Sequence, residues 1–231
     1  MRKKVLIVIG ILLTGWACHT PEEIPDPSRL GYDFFPLEFG QYAVYNVFRV
    51  EYRVGARPDT QRFQLKERVA DTLTDLRNER AFVVHRFSRT NSGQRWRLDS
   101  VWVAKRTPYQ AIRKENNVDF VKLSFPIKEN LSWNGNVFNN FGQEPYRAEA
   151  FDQPFAAPDT IYPRTVRVVQ RRDSSGTALD RRQEVYARRT GLIYKERIQI
   201  RYEQQNGTIG SGRPESGIYY ILRIKDFGVE K

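Results

Sequence analysis

The sequence predicts an all-β domain: a single curved antiparallel sheet that closes into a half-barrel or a barrel. Three observations carry this. Apolar and charged residues alternate with period two through most of the chain, turn-forming clusters recur at short intervals, and only one stretch favours a helix. Eight to ten strands with short connections predict an antiparallel meander, and a twisted sheet of that width curls.

The first strand spans residues 42–54. Tyr42, Val44, Phe48, Val50, Tyr52 and Val54 share one face, and Arg49, Glu51 and Arg53 the other. That alternation marks a half-buried strand. Residues 55–59 break it. Residues 61–73 resume it with Phe63, Leu65 and Val69 against charges, and residues 80–90 follow. Asn91-Ser92-Gly93 signals a turn before residues 95–106. Residues 109–114 and 118–125 flank Glu115-Asn116-Asn117 as a hairpin. Residues 126–141 read as a long loop carrying a short strand around Trp133, and 146–151 as a weak strand. Residues 153–163 hold three prolines and no period. A strand over 165–171 precedes the one helical candidate, LDRRQEVYAR over 179–188, which would give two or three turns. In residues 192–202, Leu192, Tyr194, Ile198, Ile200 and Tyr202 oppose Lys195, Arg197, Gln199 and Arg201. A loop over 206–216 leads to the last strand, 218–227.

Residues 1–17 have a basic head (Arg2, Lys3, Lys4) and an apolar run of Val5 to Leu13. That run is too short to span a hydrocarbon core of roughly 30 Å as a helix, so it reads as a signal peptide. Gly15-Trp16-Ala17-Cys18 resembles the bacterial lipobox, which implies that the mature chain starts at a lipidated Cys18. No cysteine follows, so no disulfide forms within the domain. Acylation of Cys18, with palmitate among the acyl groups, would make the membrane a partner, because each buried CH₂ contributes about 0.8 kcal/mol. Residues 18–31, acidic and proline-rich, form an extended tether, and residues 32–231 form one β domain.

Phe34-Phe35-Pro36-Leu37-Glu38-Phe39-Gly40-Gln41-Tyr42-Ala43-Val44-Tyr45 resembles the opening of a group of Bacteroidota lipoproteins. Phe125-Pro126-Ile127 with Trp133, and Tyr186 through Tyr194, are similar to that group's middle and late segments. The resemblance implies outer-membrane anchoring, at the cell surface or on the periplasmic face, and no established activity. In architecture the chain is similar to lipoprotein carriers, which hold acyl chains in a curved sheet. Physically, Pro36 sets an extended approach, Gly40 permits a bend, and Phe35 and Leu37 can plug one end of the core.

Loss of residues 1–17 removes three basic side chains from a chain of net charge +11, leaving +8. Export, and basic residues spread along strands rather than gathered in a reading helix, exclude nucleic acid as a partner. The two histidines, His19 and His85, and the single cysteine rule out a metal site built from His and Cys. No catalytic set and no cofactor motif stands out, so the chain reads as a non-enzyme. His85 shares a face with Val83 and Phe87, which suits a structural histidine, and Gly207 to Gly212 lacks the Lys of a phosphate cradle. Trp96, Trp102 and Trp133 are the candidate ligand-binding residues, as a sugar platform or lipid-facing wall; core packing suits them as well. Two functions follow: binding of a lipid or other apolar ligand in the curved sheet, or an accessory role in an envelope complex through an arginine-rich face.

Overall fold

The computed structural model describes residues 27–75, 77–204 and 210–230. The expected signal peptide, Cys18 and the expected tether up to Asp26 lie outside the described residues. Twelve strands follow one another: β1 (Gln41–Tyr52), β2 (Asp59–Thr74), β3 (Arg80–Arg89), β4 (Arg97–Arg106), β5 (Gln110–Glu115), β6 (Val118–Ser124), β7 (Ser132–Asn134), β8 (Pro145–Ala157), β9 (Thr160–Ser174), β10 (Ala178–Ala187), β11 (Gly191–Tyr202) and β12 (Pro214–Val229). Each pairs antiparallel with its neighbours in sequence, and β12 returns to pair with β1. Only the β6–β7 junction lacks a ladder. There the Val121 N–H donates to the Gly135 carbonyl (2.9 Å), and Trp133 Nε1 donates to the Val121 carbonyl (3.0 Å). The result is a single, nearly closed barrel, with all but this one edge satisfied.

The barrel is entered from one end. A one-turn helix (Pro27–Leu30) and a 3-10 turn (Tyr32–Phe34) deliver Phe34 and Phe35 into the core, where both are buried. Leu37 packs against the same cluster, which includes Tyr45, Ile127, Val166, Val168 and Tyr186. Arg188 fastens the entry, donating to the Ser28 carbonyl (2.7 Å) and to Asp33 (2.7 Å) while forking onto Asp152. Pro27 to Gly31, the last residues of the stretch expected to be a tether, are thus part of this entry. Gly40, at φ 79°, makes the bend into β1; a Cβ there would lie 2.1 Å from the Glu230 carbonyl oxygen.

Two expectations are corrected. Residues 179–187 belong to strand β10, with Arg188 in the turn after it, and not to a helix. Their helix-forming Leu, Arg, Gln and Glu are overridden by ladders to β9 and β11 on both sides and by burial of Val185, Tyr186 and Ala187. Residues 153–163, which show no period in the sequence, are largely strand. They form the far half of the β8–β9 hairpin, with Pro154 and Pro163 where the pairing is irregular and Pro158 at its turn. The Glu129 carboxylate holds the preceding kink by accepting the Ala150 (3.2 Å) and Phe151 (2.7 Å) N–H groups.

The placement of the two strand faces matters most for function. Lys195, Arg197 and Gln199 of β11 point into the barrel, together with Asp180, Arg182 and Glu184 of β10. Contacts between strands far apart in the sheet establish this: Lys122 of β6 reaches Glu184 of β10 (2.7 Å), and Arg113 of β5 reaches Glu67 of β2 (3.0 Å). Ile198, Ile200, Ile221 and Val50 lie on the outer face, buried next to cross-strand neighbours such as Tyr219 and Phe48.

Candidate functional site

The interior changes character along its axis. The end where the chain enters is apolar and filled. Beyond it, Glu184 is fully buried, accepts from Lys122 Nζ (2.7 Å) and Tyr186 Oη (2.6 Å), and forms an ion pair with Lys195 Nζ (3.1 Å). Glu115 shares both lysines, at 3.2 and 3.8 Å. Burial alone would raise the pKa of Glu184 and Glu115. The Lys122 and Lys195 ammoniums outweigh it and hold both carboxyls well below the usual range. Alongside, Glu67 pairs with Arg86 (3.1 Å) and Arg113 (3.0 Å), and the Arg86 guanidinium stacks 3.6 Å from the Trp102 ring centre.

Above this ionic layer a cavity of about 270 Å³ opens at the far end of the barrel. The loop between β7 and β8 shapes one wall. Asn134 Oδ1 accepts the N–H groups of Asn136 (3.0 Å) and Glu144 (3.0 Å), which folds the loop over the opening. Asn136, Phe141 and Glu144 are thereby brought to the cavity. Its remaining walls include Phe120 and Lys122 of β6, Tyr146 of β8, Gln170 of β9, Arg182 of β10, and Lys195, Arg197 and Gln199 of β11. Phe120 and Phe141 stand 6.2 Å apart, and Trp133 meets the Tyr146 ring edge-on at 6.2 Å.

Three wall side chains are more than nine-tenths buried yet carry polar atoms with no hydrogen-bond partner among the described residues. Gln170 (8% exposed) has none for its side-chain amide, Tyr146 (4%) none for its hydroxyl, and Asn136 (5%) only an acceptor contact, from Asn139 Nδ2 (3.2 Å), which leaves its own Nδ2 unused. Burial raises the Tyr146 pKa well above the usual phenol value, with the Glu184 and Glu144 charges adding to it, so the hydroxyl stays a donor. The cations differ among themselves. Arg182 is saturated, with two bonds to Glu144 (2.6 and 3.0 Å) and one from Nε to Asp180 (2.8 Å). Arg197 has no carboxylate partner among the described residues; its Nε donates to Gln199 Oε1 (2.6 Å), and its two terminal nitrogens are free.

The tryptophans lie apart. Trp102 is buried inside the barrel against Arg86, and Trp133 sits at the β6–β7 junction. Trp96 lies before β4 under the Arg89 guanidinium, 4.1 Å from its ring centre. None of the three lines the cavity, although Trp133 steadies Tyr146. His85 is half-buried beside Phe87 (6.1 Å). Cys18 and residues 207–209 of the glycine loop lie outside the described residues. Sequence reasoning missed Arg197, Gln170, Tyr146 and Asn136. The one available signal was the charged face of β11, read as the solvent side.

No family model, curated protein or solved structure matches the chain.

Proposed function

We propose that this protein is a non-enzymatic ligand-binding barrel of the bacterial envelope. In this reading acylated Cys18 anchors it to the outer membrane, and the open end of the barrel takes up a small polar ligand. The observation that carries the proposal is the cavity into which three otherwise buried side chains, Gln170, Tyr146 and Asn136, turn polar atoms that have no partner among the described residues. A bound molecule that meets several of these groups at once gains about 0.5–1.5 kcal/mol net for each hydrogen bond it makes. The apolar ligand expected from the sequence has less support. An acyl chain here would desolvate the Arg197 guanidinium without pairing it, and would cover the polar atoms of Gln170, Tyr146 and Asn136; the apolar end is already filled by Phe34 and Phe35.

Native mass spectrometry of the protein purified gently from its own cells tests binding. A co-purifying small polar molecule, lost from Gln170→Leu and Tyr146→Phe, is the expected outcome; an empty protein, or a retained acyl lipid, would count against it. Membrane fractionation of Cys18→Ser tests the anchor. The variant should leave the membrane fraction, and its retention there would refute acylation as the tether.

A further inference from the structure

The polar cavity also carries information about the charge of what enters it. We propose that it receives a single anionic group, a carboxylate or a phosphate, on Arg197; this rests on the ligand-binding reading above. Arg197 and Arg182 are directly opposite each other on β11 and β10. Like charges in cross-strand register destabilise a sheet. Glu144 and Asp180 both pair with Arg182, whereas Arg197 makes no ion pair of its own among the described residues. Partial burial, with the Arg182 cation nearby, pulls its pKa below the usual guanidinium value, although the Asp180 and Glu115 carboxylates act the other way; the side chain keeps access to solvent at the cavity mouth.

The geometry selects the ligand class. Gln199 holds Nε, which leaves the two terminal nitrogens as a planar fork of the kind that binds carboxylate or phosphate bidentately. Tyr146 Oη, Gln170 Nε2 and Asn136 Nδ2 add donors around the same space and lack partners of their own. A volume of about 270 Å³ is below the usual range for drug-sized ligands, so the molecule is small. The Phe120–Phe141 pair at the wall offers an apolar edge to its uncharged part. The Glu144 and Glu115 carboxylates in the wall disfavour a second negative centre.

The test titrates the full chain with inorganic phosphate and, separately, with benzoate at constant ionic strength, followed by thermal unfolding and calorimetry. Saturable one-to-one binding of either probe in the millimolar range or tighter is expected, and the probe that binds distinguishes phosphate from carboxylate. Arg197→Gln should weaken it about tenfold or more, since charge-assisted bonds are the strong ones. Arg197→Lys should retain part of it, and Arg62→Gln, on the outer face, all of it. Circular dichroism of Arg197→Gln confirms folding, which relief of the Arg182–Arg197 repulsion favours. Absence of saturable binding by both probes, or undiminished binding by Arg197→Gln, overturns the proposal. A panel of neutral sugars and amides separates the two readings. Binding lost in Gln170→Leu but not in Arg197→Gln would overturn the anion and keep the ligand site, whereas no binding at all would overturn both.

Discussion

Removing Glu184 should be among the most destabilising single changes in the domain, and the loss should be largely recovered by also removing Lys122. Glu184 is 0% exposed and the Lys122 side chain 5%, with 2.7 Å between Oε1 and Nζ. Glu184→Leu leaves Lys122 and Lys195 in the interior with Glu115 as their only shared carboxylate, and strips the Tyr186 hydroxyl of its acceptor. Breaking a buried pair by deleting one partner costs about 3–5 kcal/mol. Lys122→Met with Glu184→Leu removes both charges and leaves Lys195 with Glu115, so the remaining cost is mainly the unmet Tyr186 hydroxyl, about 1–3 kcal/mol. Urea unfolding of both single variants and the double variant gives the coupling directly. The double variant should be more stable than Glu184→Leu by about 2 kcal/mol, roughly the difference between those two ranges. A Glu184→Leu loss of less than about 1 kcal/mol, the scale of an exposed pair, would refute the claim that this layer is desolvated.

The same two carboxyls set the acid limb of stability. Their folded pKa values are depressed, so the unfolded chain takes up protons near pH 4.3 while the folded one does not, and stability should fall below about pH 5 by up to about 1.4 kcal/mol per pH unit for each group. Urea midpoints across pH 3 to 6 should therefore slope more gently in Glu115→Gln. An equal slope would mean that Glu115 is not held by its lysines. Gly135→Ala places a Cβ 2.3 Å from the Tyr146 ring, and should cost about 1–3 kcal/mol and speed amide exchange at Val121, which donates across the junction to Gly135. Unchanged exchange there would argue against the junction as a closed seam. Tyr146→Phe should preserve the fold within about 1 kcal/mol, because its hydroxyl has no protein partner to lose; a larger loss in urea unfolding would reveal one.

The alternation over residues 42–54 and 192–202 was enough to place strands there, and the Asn116-Asn117 pair, at φ 49° and 65°, marked its hairpin turn. Alternation shows that the two faces of a strand differ, but not which face turns inward. In β11 the apolar set Ile198 and Ile200 reads as core and Lys195 and Arg197 as solvent side, yet a twelve-stranded wall encloses room for charged side chains that pair across it. Those partners are distant in sequence: Lys122 and Glu184 are 62 residues apart, so no local window shows them. The helix expected over 179–188 failed for a related reason, since intrinsic preference gave way to ladders formed with β9 and β11. The tryptophans drew attention by size, whereas the cavity is built from an amide, a phenol and a guanidinium that mean nothing singly. Phe35 and Leu37, read as an end plug, do pack at the entry.

A high-resolution crystal structure of the protein grown in phosphate would decide most directly whether the open end is a binding site. Density for an anion about 2.7–2.9 Å from the free Arg197 nitrogens, with Tyr146 and Gln170 turned onto the same group, is what the site should show. An interior in which Arg197 instead swings onto a wall carboxylate, with Gln170 and Tyr146 satisfied by protein atoms and no anion bound, would contradict it.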